Sequence, residues 1–140
     1  MDNLKIKDVK ELCHKTLNDI RLTSKDKNYS ESLNFYFDNG FYYEECWNLD
    51  ETLAALILPR LIHFRDIHSG TPSDFCKFDD EYKVTNEEEA NKKWRDCINS
   101  MIQAFYLILT RDIVTETEED RTAIKEGLSN FSKYFMSLWD

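Results

Sequence analysis

The chain has 140 residues, enough for one domain with a core of ordinary size. Only three glycines and two prolines accompany a 14% share of aromatics, which disfavours a loop-rich or all-β fold and favours helices. A net charge of −9 disfavours nonspecific contact with nucleic acid or an anionic membrane. It is compatible with a basic protein partner, with imitation of nucleic acid, or simply with solubility.

The first predicted helix covers about Lys5 to Arg21, where Val9, Leu12, Cys13, Leu17 and Ile20 make one apolar stripe. Leu22 to Ser30 is polar and charged and reads as a loop. Residues 33–45 carry two readings. Asn39-Gly40 between Phe35-Tyr36-Phe37 and Phe41-Tyr42-Tyr43 is a hairpin signal with a type I′ turn. The alternative is a helix from about Ser30 to Asp38 that closes on Asn39-Gly40, with Glu44 and Glu45 in an extension of the next helix. The helical reading is preferred, because a lone hairpin is marginal and no third strand is apparent. The aromatics here, Tyr29, Phe35, Tyr36, Phe37, Phe41, Tyr42, Tyr43 and Trp47, are either core and rim or a recognition surface.

Trp47 to Phe64, WNLDETLAALILPRLIHF, is the most apolar run and is predicted to be the central helix. Asn48 with Glu51 matches a capping box, and Asp50 suits the first turn. Leu49, Leu53, Leu56, Ile57, Leu61 and Phe64 form the expected buried face, with Ala55, Leu58 and Ile62 elsewhere on the cylinder. Asp50, Glu51, Arg60, His63, Arg65 and Asp66 argue against a membrane span. Pro59 removes the donor to the Ala55 carbonyl and should bend the axis. Arg60 falls within the apolar arc, so a guanidinium there needs a carboxylate, unless the bend turns it to water or it is placed for a ligand. The expectation is an internal ion pair.

Gly70 and Pro72 punctuate a long irregular loop, Ser69 to Val84, that Phe75, Phe78 and Tyr82 should pin to the body. Thr85 with Glu88 starts a third helix running to about Thr110, with a seam of Trp94, Ile98, Met101, Phe105 and Ile108. Thr115 with Glu118 starts a last helix with a stripe of Ile124, Leu128, Phe131, Phe135 and Leu138, folded back on the third as a hairpin. Gly127 inside it implies close approach of a neighbour. There is no internal repeat and no dividing linker, so residues 1–140 form one helical domain.

The four cysteines are never closer than twenty-one residues, so no zinc-ribbon or CxxC spacing occurs. With no apolar signal core in MDNLKIKDVK, the chain reads as cytoplasmic with reduced thiols, which disfavours a bridge such as Cys13 to Cys46. No P-loop, GxGxxG, HExxH or GxSxG is present, and the basic residues make no stripe. Glu44, Glu45, Asp50, His63, Asp66 and His68 are the metal candidates. Only His63 and Asp66 share a face, too few for a coordination shell. His68 and Cys76 flank the long loop without a base or oxyanion site. No catalytic residue, metal or cofactor is assigned.

The stretch WNLDETLAALILPRLIHFRDIHSGTP resembles a group of small proteins encoded by tailed bacteriophages. The shared pattern is a Gly-aromatic turn (Gly40-Phe41), an acidic pair (Glu44-Glu45), a Trp-x-Leu/Phe-Asp unit (Trp47 to Asp50), an apolar helix (Leu53 to Phe64) and a Gly-x-Pro turn (Gly70 to Pro72). The similarity extends through Trp94 and Met101 to Leu109 to the ending EGLSNFSKYFMSLWD, roughly residues 38 to 140. It implies a helical fold and a phage context, supplies no catalytic residue, and hints that Trp47 and Asp50 matter together.

The expectation is therefore an all-α bundle around a Pro-kinked central helix, acting without catalysis by binding a protein of host, phage or its own kind. Trp47, Asp50, Arg60, His63, Tyr42 and Tyr43 are the candidate binding residues. The alternatives are a ligand-binding protein or enzyme with a pocket under the 69–84 loop, holding Arg60, His63 or Asp50, and a virion component.

Overall fold

The computed structural model describes residues 1–139 except residue 113; for residues 20–28 it describes the backbone alone. The chain is all-α among the described residues. Four helices, α1 (Ile6–Asn39), α2 (Leu49–Ile67), α3 (Glu87–Thr110) and α4 (Glu118–Tyr134), are joined by short 3-10 turns at Tyr43–Cys46 and Ser73–Phe75, with a third at Phe135–Ser137. The main helix contacts run in chain order: α1 on α2, α2 on α3, α3 on α4.

The loop predicted over Leu22 to Ser30 is instead continuous α1 backbone. Polar composition alone does not end a helix; glycine, proline or a cap does, and none lies between Ile6 and Asn39. The helix ends where the C-cap reading placed its end. Gly40 adopts φ 82°, and its N–H donates to the Tyr36 carbonyl at 2.7 Å. The hairpin reading of residues 33–45 is thereby replaced by a helix end and a 3-10 turn, and Glu44 and Glu45 lie in that turn rather than in α2.

α3 is the most deeply buried helix. Its predicted seam, Trp94, Ile98, Met101, Phe105 and Ile108, is buried throughout. Val9 and Cys13 of α1, Ala54, Ala55, Leu58, Leu61 and Ile62 of α2, and Tyr134 of α4 complete the core. α4 meets α3 through Ile124, Gly127, Phe131, Tyr134 and Leu138, whereas the predicted stripe members Leu128 and Phe135 are exposed. At Gly127 the helices nearly touch: an added Cβ would lie 2.2 Å from the Ser100 carbonyl oxygen and 2.5 Å from the Ala104 Cβ.

α1 and α2 start at their predicted places, after Lys5 and Asn48, whereas α3 and α4 start one and two residues later than predicted. Thr85 is engaged elsewhere, its N–H donating to the Lys77 carbonyl at 2.7 Å, so Asn86 caps α3 by accepting from the Glu89 N–H at 3.0 Å. Thr115 closes a turn onto Asp112, and Thr117 with Asp120 forms the capping box of α4. Asn48 begins α2 through its carbonyl, which accepts from the Thr52 N–H at 2.9 Å, but its side chain makes no capping bond. Of the three predicted anchors of the Ser69 to Val84 segment, Phe75 packs on the body, 5.4 Å from Trp94 and 5.0 Å from Tyr134, while Phe78 and Tyr82 are exposed.

Candidate functional site

α2 carries apolar residues on every side, and only part of its predicted face is enclosed: Leu61 is buried and Ile57 and Phe64 pack partly against the core, but Leu49, Leu53 and Leu56 turn outward. Thr52, Ala54, Ala55, Leu58, Leu61, Ile62 and Arg65 are buried. At about 100° per residue all of these but Thr52 occupy one side of the cylinder; Thr52 lies beside the outer stripe and is tied to the Glu45 carbonyl of the preceding turn. The small side chains of Ala54 and Ala55 are almost wholly covered, which lets neighbouring helices approach closely. The opposite side carries Leu49, Leu53, Leu56, Arg60, His63 and Ile67 within an arc of about 80°. Of these, Leu49 is 49% exposed, Leu53 44% and Leu56 36%. α2 lies between α1 and α3, as a central helix should, but only one face is enclosed.

This exposed side begins at an aromatic turn. Gly40 reverses the chain so that Phe41 returns onto Phe35, ring centroids 5.6 Å apart, and Tyr43 reaches the same ring at 5.7 Å. Tyr42 stacks on Tyr36 at 4.8 Å. Trp47 meets Tyr43 edge-on at 6.2 Å and is 54% exposed, rather than packed at the start of the helix. The Thr52 hydroxyl donates to the Glu45 carbonyl at 3.1 Å and ties the turn to the first turn of α2. Between this turn and α1 lies a cleft of about 340 Å³ lined by Leu12, Lys15, Thr16, Asp19, Glu44, Trp47, Asn48 and Glu51.

The charges are arranged differently from the internal ion pair expected of Arg60. Arg60 is exposed, and its guanidinium folds back onto the Leu56 carbonyl. That carbonyl neighbours the Ala55 carbonyl, which Pro59 deprives of its donor. Asp50 pairs with Arg111, at the end of α3. The buried cation is Arg65, 1% exposed. Its guanidinium donates to Asp66 (3.0 Å), to the carbonyls of Met1 (2.8 Å) and Leu4 (2.7 Å), and to the Asn99 side chain (3.1 Å). Asp66 also takes Lys5 at 3.0 Å. Arg95 and Asn99 both donate to Asp2, at 2.8 and 2.7 Å. Hydrogen bonds from Asn99 and Arg95 hold the Asp2 carboxyl below its ordinary value. Burial pushes Asp66 up, but hydrogen bonds from Arg65 and Lys5 outweigh it, and its pKa is also lowered. Sequence reasoning passed over Arg65; the available signal was that it shares an arc with Leu58, Leu61 and Ile62.

The remaining candidates do not assemble into a site. His63 is exposed, while its neighbour Asp66 belongs to the Arg65 network. His68 stacks on Phe64 at 5.2 Å, and the Cys76 thiol points to the Thr71 and Pro72 carbonyls. No group of three or more His, Cys, Asp or Glu among the described residues is placed to hold a metal. The long loop borders two clefts. One, of about 390 Å³, is lined by residues 69–74 with Ser137 and Trp139. The other, of about 200 Å³, includes Cys76 and Asn91. Asp50, Arg60 and His63 line neither. No family profile, curated protein or solved structure matches the chain. None of the described helices is long and apolar enough to cross a membrane.

Proposed function

We propose that this chain acts without catalysis, by binding a protein through the exposed face of α2 and the aromatic turn that precedes it. The observation that carries this reading is Leu49, Leu53 and Leu56 lying open to solvent on a helix whose other side is already in the core. Contiguous apolar surface of that kind on a soluble domain ordinarily marks a place where something docks. Tyr43 and Trp47 beside it are the residue types that most often anchor such contacts. Of the sequence candidates, Tyr43, Trp47, Arg60 and His63 belong to this surface; Tyr42 supports the turn from beneath, and Asp50 flanks the stripe while pairing with Arg111.

The resemblance to small phage proteins adds a setting: an accessory, inhibitor or host-takeover factor in an infected cell. The reading of a pocket under the 69–84 loop is weakened, because the charges meant to fill it lie on α2 away from both clefts. The test is retention of partner protein by the immobilised chain, compared between wild type and Leu53→Glu. The charge should abolish capture and leave the helical circular dichroism intact. A wild-type chain that is strictly monomeric and retains no protein refutes the proposal, and recovery of the chain in purified particles would reassign it as a virion component.

A further inference from the structure

We propose that the exposed face of α2 pairs antiparallel with the same face of a second copy of this chain. This rests on the protein-binding reading above and names the partner. Leu49, Leu53, Leu56, Arg60, His63 and Ile67 are separated by steps of four, three, four, three and four residues. Alternating steps of three and four are the seam of a helix packed lengthwise on another helix. The pattern also reads the same in both directions about residue 58. An antiparallel pair therefore sets Leu49 against Ile67 of the second copy, Leu53 against its His63, and Leu56 against its Arg60.

That register resolves the polar residues. In a parallel pair Arg60 would face Arg60, a like-charge arrangement that costs stability. In the antiparallel pair each lies over a leucine, where the aliphatic stem of Arg60 adds to the contact and its head reaches the edge. At the flanking positions Asp50 comes toward Phe64 of the second copy and Asp66 toward Thr52, so no carboxylate meets another. The stripe itself holds no acidic residue although each copy carries a net −9. The acids that start the other helices, Glu87 to Glu89 and Glu118 to Asp120, lie on other elements.

The area is sufficient. Leu49, Leu53, Leu56, Ile67, Trp47 and Tyr43 are between 36% and 56% exposed. Together they present on the order of 600 Å² of mostly apolar surface, against the roughly 500 Å² per partner that a specific interface needs. Self-repulsion between acidic copies is long-range and screened by salt, so the dimer should tighten as ionic strength rises.

The test uses the full chain with Cys46→Ser, which removes its exposed thiol, and measures mass by light scattering over a concentration series. The expected result is a dimer that Leu56→Arg weakens about a hundredfold or more, with unchanged helical content, because the new guanidinium faces Arg60 of the other copy and does so twice in the seam. Registry is read by mixing Leu53→Cys with His63→Cys under mild oxidation. The mixture should give a cross-linked heterodimer, and neither variant alone should cross-link, since a disulfide needs Cα atoms within about 7 Å. A parallel cross-link of Leu53→Cys to itself, a dimer indifferent to Leu56→Arg, or a monomer at every concentration would each overturn the inference. A monomer that still captures another protein in a Leu56-dependent way overturns self-pairing alone; a monomer that captures nothing removes the protein-binding reading as well.

Discussion

Replacing Arg65 is the sharpest probe of how this fold is held. Its guanidinium is 1% exposed and bonds four groups: the Asp66 carboxylate, the Asn99 amide and the carbonyls of Met1 and Leu4. Arg65→Met fills much of the volume but leaves those acceptors without their donor and removes a cation from beside Asp66. Breaking a buried charge network costs about 3–5 kcal/mol. Asp66 keeps Lys5 and is partly exposed, which places the expected loss at the lower end, about 3 kcal/mol. For a chain of this length that is a fall in melting temperature of roughly 10 °C. Equilibrium denaturation should show a lower midpoint with an unchanged slope. Hydrogen exchange should show the Leu4 amide, bonded to the Met1 carbonyl at 3.0 Å, losing its protection. Arg60→Met is the control and should stay within about 0.5 kcal/mol of wild type, because Arg60 is exposed. A loss below 1 kcal/mol for Arg65→Met, or equal losses for the two variants, would refute the assignment of Arg65 as the internal cation.

Gly127→Ala should destabilise by about 2 kcal/mol or more in denaturant titrations despite the gain in helix propensity, because the new Cβ would collide with the Ser100 carbonyl and the Ala104 Cβ; a neutral or stabilising result would contradict the close α3–α4 contact. The Asp2 and Asp66 carboxyls titrate below their ordinary values when folded, so they stabilise the fold above the normal carboxylate range and that contribution is lost as pH falls through it. Thermal melts between neutral pH and pH about 3 should therefore show acid destabilisation that is smaller in Asp66→Asn. A thiol reagent at neutral pH should label exposed Cys46 first and Cys13 and Cys97 only on unfolding, since burial raises both buried thiols and pushes Cys97 to about 11; mass spectrometry of the labelled peptides checks the order.

The parts of this fold that could be read from sequence are those where one physical signal acted alone. Trp94, Ile98, Met101, Phe105 and Ile108 recur at steps of four and three with Arg95, Asp96, Asn99 and Gln103 between them, so that buried face could be read. Gly40 sits at a position where only a left-handed turn reconciles the residues before and after it. α2 gave no such contrast, because leucine and isoleucine occupy every side. What chose its buried face was size and charge together: Ala54 and Ala55 permit close approach, and Arg65 finds the Met1 and Leu4 carbonyls, 64 and 61 residues away in the chain. Neither fact is local. The start of α3 was offset for a related reason. Thr85-x-x-Glu88 and Asn86-x-x-Glu89 are both capping boxes, and only the tertiary bond from Thr85 to Lys77 decides between them. For the candidate surface, the aromatic turn was visible as composition, but the open leucines of α2 were expected inside.

The bonds made by Met1, Asp2 and Leu4 have a consequence for how the chain assembles during synthesis. Their partners, Arg65, Arg95 and Asn99, lie 61 to 97 residues downstream. A ribosome must deliver residues as far as Asn99 before these three residues find their seat, and distant pairings of that kind form slowly. Residues made early are thus among the last to settle, fastening the start of α1 to the last turn of α2 and the middle of α3 like a latch closed after the door.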